Sequence, residues 1–333
     1  MDVSFVVFCA LCVTTSLTTC LISFGANLGE PEVTLDRVVQ LLRSRAELAV
    51  CAVSRAHWSR AVGGPLGQPD YLNAVIRAET ELSPLDVLQT LQGIEQTLGR
   101  DTAARWAARL VDLDLLVYGQ QQVQTDDLVV PHPRMSYRRF VLEPAVEVAA
   151  DLVHPTLGMT LKSLLTRLDQ ADQYIALVGT PNCGPLVGRV CRGGLHVALS
   201  DPCEALREAG RSAKTEIESL RARAEALRSA HRVTPDGAYL LSSFWCEQPL
   251  IQIAASFDHD EAQQFRQVWE ELHPSLPRLK LLVVVQGSGA ADRSFVEAVR
   301  RYLERTPVGP MLTVPNDDSE WAEIEILAAI AAM

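Results

Sequence analysis

Basic charge is scarce in this chain. Lys and Arg together number 30 against 41 Asp and Glu, a formal net charge of −11. A protein that tracks nucleic acid or an anionic bilayer needs the opposite balance, because phosphates attract Lys and Arg. Neither partner is expected here. An acidic chain still holds ATP if its arginines gather in one pocket.

Paired thiols are missing as well. The cysteines are scattered at Cys9, Cys12, Cys20, Cys51, Cys183, Cys191, Cys203 and Cys246, and only Cys9 and Cys12 form a C-x-x-C. No second Cys or His pair completes a zinc site, so the pattern reads as free thiols in a reducing cytoplasm. The N-terminus has no charged residue from Val3 to Gly29, which removes the basic region that a signal peptide requires. Its continuous apolar run, Phe5 to Val13, is shorter than the ~20 residues that cross a bilayer. Residues 1–18 therefore read as an appended segment, an over-extended start, and no membrane partner is expected.

The remainder is globular in composition, with 48% hydrophobic and 21% charged residues, and 333 residues suit two domains. Cys20 to Phe24 reads as a strand that ends in the turn Gly25 to Gly29. Leu35, Val38, Val39, Leu41 and Leu42 then share one helical stripe. Ala49 to Trp58 and Asn73 to Glu81 read as strands, separated by a glycine- and proline-rich loop over 60–69. Ser83-Pro84 starts a helix with Leu85, Leu88, Leu91, Ile94 and Leu98 on its apolar stripe, and Gly99 ends it. Leu110 to Tyr118 is a further strand. The order β-α-β-β-α-β predicts a ferredoxin-like α+β sandwich over 19–168, closed by short helices near Glu143 to Val148 and Leu161 to Leu168. After a linker at 169–173, the apolar runs Tyr174 to Val178, Tyr239 to Ser243 and Leu281 to Val285 accompany helices over Glu204 to Ala230 and Ser319 to Ala332. Strands alternating with helices predict a parallel α/β domain over 174–333.

The sharpest chemical signal is Arg105-Trp106-Ala107-Ala108-Arg109-Leu110-Val111-Asp112-Leu113-Asp114. On a strand, Asp112 and Asp114 are two apart and point the same way. Two carboxylates among leucines repel each other unless a cation lies between them, and magnesium takes such hard oxygens and shares them with phosphates. A solvent-facing acidic pair on an edge strand fits that fragment equally well. Arg100, Arg105 and Arg109 tilt the balance, since guanidinium forks suit phosphate oxygens. Taken singly, His132 reads as a loop residue, Tyr71 and Phe140 as core aromatics, and Arg134, Arg138 and Arg139 as a surface patch.

The motifs Phe24-Gly25-Ala26-Asn27-Leu28-Gly29, Gln68-Pro69-Asp70-Tyr71-Leu72-Asn73-Ala74, Gly99-Arg100, Arg105-Trp106, Arg109 to Asp114, and Val130-Pro131-His132-Pro133-Arg134-Met135 leading to Arg138 and Phe140 follow one another in order. In these, residues 19–168 resemble the 6-hydroxymethyl-7,8-dihydropterin pyrophosphokinase family of the folate pathway. The resemblance implies that ATP and a hydroxymethyl dihydropterin are substrates, and that Asp112 and Asp114 hold two magnesium ions on the ATP phosphates. It also implies that Arg100, Arg109, His132 and Arg138 contact phosphates and that Glu95 lies near ATP. Asn27 and Asn73 would meet the pterin, Tyr71 and Phe140 would flank its ring, and Trp106, with Arg105, would sit in a loop that closes over the substrates.

Three departures from the family stand out. Ala26 replaces a serine, Ser59-Arg60-Ala61 replaces Thr-x-Pro, and Ala107-Ala108 replaces Gly-Pro. No metal ligand is lost. A pocket that binds pterin or nucleotide without turnover is therefore the competing expectation.

The second half weakly resembles deoxynucleoside kinases, which are P-loop proteins. Gly179 to Gly184 has the G-x-x-x-x-G spacing, but Pro185 and Leu186 stand where Lys and Ser or Thr should follow. Leu241-Ser242-Ser243-Phe244-Trp245 lacks the Asp of that family, and no arginine-rich lid follows. The expectation is a degenerate kinase fold kept for packing, homodimer formation or regulation. Deoxynucleoside kinase activity is a third reading, which Pro185 and Leu186 oppose.

Overall fold

The computed structural model describes residues 17–63, 65, 67–99, 108–179, 183–203, 212–251, 258–306, 308–316 and 320–333. The first sheet is antiparallel. Its strands are β1 (Thr18–Ala26), β2 (Leu48–Val53), β3 (His57–Ser59), β4 (Tyr71–Thr80) and β5 (Asp112–Tyr118), in the order β2-β4-β1-β5 with β3 paired to β4. This is the order that a split βαβ unit produces. β1 begins at Thr18, so the expected N-terminal extension overlaps the sheet by one residue, and 1–16 lie outside the described residues. The run expected over Ala49 to Trp58 is two strands, and β5 starts two residues later than Leu110.

Each face of this sheet has its own helices. α1 (Pro31–Arg43) and α2 (Pro84–Thr97) bury Leu35, Val38, Leu42, Val87, Leu91 and Ile94 against Cys20, Ile22, Phe24 and Ala26 of β1. α3 (Arg139–Ala149) and α4 (Leu161–Gln170) bury Val141, Leu142, Ala145, Leu161 and Leu164 against Leu21, Val75, Leu116 and Val117 on the other face. The two helices expected only as short closures thus form a full third layer.

Ser83 caps α2 by accepting a bond from the Asp86 N–H, and Gly99 takes the left-handed φ of 82° just beyond its end. The expected stripe needs one correction. Leu85 is 46% exposed, and the buried face instead holds Val87 and Glu95. The Glu95 Oε1 accepts the Leu113 N–H at 2.7 Å, a partner on β5 that turns a polar residue of the helix inward.

The second sheet is wholly parallel, with order β12-β11-β8-β10-β9. β8 (Tyr174–Gly179), β9 (Val197–Leu199), β10 (Leu240–Ser242), β11 (Leu281–Gln286) and β12 (Met311–Pro315) alternate with α5 (Gly184–Val190), α6 (Ala213–Val233), α7 (His259–Leu272), α8 (Ala290–Arg305) and α9 (Trp321–Ala332). Ala176, Val178, Leu282 and Val284 face α6, α7 and α8, whereas Ile175, Leu177, Val283 and Val285 face α5 and α9. Burial on both faces explains why β8 and β11 read as unbroken apolar runs. The start of the helix expected from Glu204, and Ser319 at the expected start of the last one, lie outside the described residues.

The linker expected at 169–173 is pinned. Asp172 N–H donates to Arg278 O at 3.1 Å, and Arg278 N–H returns a bond to Asp172 Oδ2 at 2.7 Å.

Candidate active site

The site occupies the face of the first sheet that α3 and α4 cover only in part. Leu21, Val75 and Leu116 lie under those helices. Further along, the register sets Asn73, Gly25 and Asp112 in one row, and Ser23 stands opposite Asp114. Side chains two apart on a strand share a face, so polar residues here meet open space while apolar ones meet helix. A cavity of about 260 Å³ results, walled by Ser23, Tyr71, Asn73, Arg109, Asp112, Asp114, His132, Arg134, Arg138 and Phe140, with Ser59, Arg60, Ala61 and Gln68 at its rim.

β5 is an edge strand, and both of its half-buried carboxylates face this cavity. Arg109 Nη1 donates to Asp112 Oδ1 at 2.5 Å. The guanidinium-facing phenol of Tyr71 is shifted upward, chiefly by burial. Across the cavity, the Arg138 guanidinium lies 5.5 Å from the centre of the Phe140 ring, and burial lowers its affinity for protons. Burial, with the Arg138 and Arg134 charges, pushes the His132 imidazole down to about 3, so the ring is neutral at neutral pH. Its Nδ1 accepts the Arg134 N–H at 3.2 Å, which leaves Nε2 as the protonated, donating nitrogen.

Eight residues singled out in the sequence meet in this one cavity: Tyr71, Asn73, Arg109, Asp112, Asp114, His132, Arg138 and Phe140. Two do not line it. Asn27 is a buried clamp: its Oδ1 accepts the Arg109 N–H at 2.8 Å, and its Nδ2 donates to Pro69 O at 3.2 Å and Gln68 Oε1 at 3.4 Å. Glu95 is the buried partner of Leu113 N–H, on the α1/α2 side of the sheet. Arg100, Arg105 and Trp106 lie outside the described residues. The cavity also holds Ser23 and Gln68, to which the sequence reading gave no role, and Arg134, which taken singly read as surface. Gln68 and Arg134 stood within the quoted motifs, which was the available signal, whereas Ser23 needed the register with Asp114.

Among the described residues no group of three or more Cys, His, Asp or Glu forms a ready-made metal cage. Two carboxylates on one face suit magnesium nonetheless, because that ion takes one or two carboxylates and completes its shell with phosphate oxygens and water. The donor set fits. No helix among the described residues is long and apolar enough to cross a membrane.

Paired carboxylates inside a ring of guanidinium groups define a transferase class that handles a phosphorylated co-substrate. Residues 21–150 match the profile of 7,8-dihydro-6-hydroxymethylpterin-pyrophosphokinase (HPPK). The 2-amino-4-hydroxy-6-hydroxymethyldihydropteridine pyrophosphokinase of Synechocystis sp. is 40% identical over 148 residues, spanning 44% of this chain and 75% of the relative. That of Haemophilus influenzae is 41% identical over 137 residues, 41% of this chain and 85% of the relative. That of Pseudomonas aeruginosa is 38% identical over 144 residues, 43% of this chain and 88% of the relative. The chain belongs to the HPPK family, the pyrophosphokinases of folate biosynthesis. A solved HPPK-DHPS complex with substrates aligns over 95% of this chain and 81% of that one, at 11% identity and a TM-score of 0.37, a likeness too weak to bear on the second sheet.

Proposed function

We propose that the cavity on the first sheet catalyses ATP + 6-hydroxymethyl-7,8-dihydropterin → AMP + (7,8-dihydropterin-6-yl)methyl diphosphate. The observation that carries this reading is the convergence of Asp112, Asp114, Arg109, His132 and Arg138 on one space, beside Tyr71, Asn73 and Phe140. The charged half suits a triphosphate and the aromatic half a flat ring.

Asp112 and Asp114 are the residues that would hold magnesium, two ions in the family's pattern. The metal's contribution is neutralisation of the triphosphate as charge shifts toward the leaving AMP. Arg109 and Arg138 bind phosphate oxygens from opposite walls, and His132 donates Nε2–H to another. Asn73 Nδ2 is committed to Ser59 Oγ at 2.9 Å and His57 O at 3.1 Å, which fixes the amide and turns Oδ1 toward the pterin. Tyr71 and Phe140 hold the ring so that its hydroxymethyl oxygen meets the β-phosphorus in line. The new O–P bond forms as the bond from β-phosphorus to the α-phosphate oxygen breaks, and the hydroxyl proton passes to solvent. No side chain of the cavity is placed as a strong general base, so orientation and charge supply the rate.

The second sheet forms a separate, degenerate kinase-like P-loop domain. Its first strand β8 sits mid-sheet and ends at Gly179, and α5 begins at Gly184, the strand-then-helix order of a P-loop protein. A Cβ on Gly179 would lie 2.2 Å from Val285 O, so that glycine is required by close packing whether or not phosphate binds. Thr180, Pro181 and Asn182 of the loop lie outside the described residues. Pro185 and Leu186 begin α5, and Leu186, 6% exposed, belongs to the apolar cluster beneath it. A core leucine supplies neither the phosphate-binding ammonium nor the metal-binding hydroxyl. Of packing, dimerisation and regulation, the contacts favour packing.

ATP labelled at the γ-phosphorus tests the main reading. The label should appear on the pterin as a diphosphate, with unlabelled AMP. Labelled inorganic phosphate or ADP as the main product would contradict it.

A further inference from the structure

The segment that brings His132 and Arg138 to the cavity runs between β7 (Val129–Val130) and α3, whose second residue is Phe140, with no strand of its own. The His132 N–H donates to Leu116 O of β5 at 2.8 Å and Met135 packs on the first sheet, while the rest of the segment leans on the second domain. Tyr137, 1% exposed, lies in the apolar cluster of α5, β8, β11, β12 and α9. Arg134 Nη2 meets Glu325 Oε1 of α9 at 2.8 Å, and the Glu325 side chain is 2% exposed. Arg139 Nε donates to Met333 O at 3.0 Å. Arg134 and Arg139 thus meet α9 and the residue that ends it, and Tyr137 enters the cluster that α9 helps to form.

Glu325 is out of place on packing grounds alone. Its neighbours on that face of α9 are Ala322, Ile326 and Ala329, and a buried carboxylate among them is costly unless a cation meets it. Arg134 is that cation, and Arg134 also lines the cavity. Its own backbone N–H holds His132 Nδ1. The residue that Glu325 holds by its guanidinium is thus the one whose backbone N–H orients the imidazole.

The geometry points to Glu325 as a positioning residue for the pyrophosphokinase site: through Arg134 it sets where His132 and Arg138 stand against the ATP phosphates. The degenerate second domain is in this way a working part of the first. This inference rests on the reading of the cavity as the ATP site.

The test uses the full chain with Glu325→Gln, and with Glu323→Gln as the control. Glu323 lies on the same helix, 3.7 Å from Arg189 and remote from the loop. The Gln keeps the shape and one acceptor but drops the charge. KM for ATP should rise about tenfold or more, with kcat and pterin KM within about twofold and the melting temperature close to the control's. Glu325→Asp, which keeps the charge, should recover part of the ATP affinity, and it replaces the Gln variant if that fails to fold. Unchanged ATP KM in the Gln variant, or in the Asp variant where it stands alone, overturns the inference, as does a proportional loss of all constants matching the folded fraction. Calorimetric affinity for a non-hydrolysable ATP analogue reads the positioning without turnover. A wild-type chain that binds the analogue but makes no pterin-dependent AMP sinks the proposed reaction and leaves the role of Glu325 measurable. A wild type that does not bind the analogue overturns the inference.

Discussion

Arg109 Nη1 stands 2.5 Å from Asp112 Oδ1, three residues along the chain, so the proposed metal ligand and the proposed phosphate ligand hold each other before any substrate arrives. In the proposed reaction, substrate binding would exchange partners, the carboxylate turning to the cation and the guanidinium to phosphate. Both charges are pre-positioned, which lowers the ordering cost of assembling the transition state.

Asp114→Ala should reduce pterin-dependent AMP formation by about 10³-fold or more while leaving the fold intact. The side chain is half-exposed on an edge strand, and its removal creates no core cavity. Steady-state kinetics with thermal melting checks both halves. A fall in activity that merely tracks unfolding would refute the metal assignment.

Asn27→Ala should act through Arg109 without touching substrate. The amide joins the 26–29 turn, the 68–69 segment and Arg109 in one set of bonds. Loss of a buried amide that makes several bonds costs about 1–3 kcal/mol. A drop in chemical stability of that size should accompany a higher KM for ATP, with Ser83→Ala at the α2 cap as a control that costs about 1 kcal/mol and leaves kinetics unchanged.

Two buried histidines set the acid limb of stability. His132 is pushed down to about 3 and His154 to about 4, both chiefly by burial, from an ordinary value of 6.5. Below pH 6.5 the unfolded chain takes up protons that the folded chain refuses, so stability falls as pH drops toward those values. Glu247 has the opposite sign. Burial raises it from 4.5 to about 7, so the unfolded carboxyl ionises first and stability falls as pH rises through that window. Glu247→Gln should flatten the loss between pH 5 and pH 7 in denaturant titrations, by no more than about 3 kcal/mol. Because His132 stays neutral, kcat/KM should show no histidine ionisation between pH 6 and pH 8.

Replacing Pro185-Leu186 by Lys-Ser should not create a kinase. Leu186 is a core side chain, so its change to Ser should cost about 2–5 kcal/mol of second-domain stability, read by melting. Nucleoside-dependent ADP formation in that variant would show that the phosphate loop had survived.

The first sheet was legible where its signals are local. β1 carries its own alternation, and α2 carries Ser83, Pro84 and Gly99 as punctuation. Errors fell where a distant partner decides. Leu85 looked like core because the helical period permits it, yet the sheet meets a face rotated toward Val87 and Glu95. Asn27, expected near the pterin from its motif, is not among those errors: the fold adds its bonds to Arg109 and Pro69, which no local pattern announces. β9 and β12 went unread because strands of three and five residues carry too little pattern. α8 went unread because its arginines and glutamates hide a narrow apolar stripe of Val296, Val299 and Leu303. The active-site cluster was legible as a set of motifs, but its shared cavity required the register of β1 with β4 and β5.

AMP release from ATP, measured with and without hydroxymethyl dihydropterin in the presence of magnesium, tests the central claim most directly. The wild-type chain should release AMP only when the pterin is present, and chelation of the metal should stop it. AMP release that ignores the pterin, or pterin binding with no AMP formed, would contradict the account.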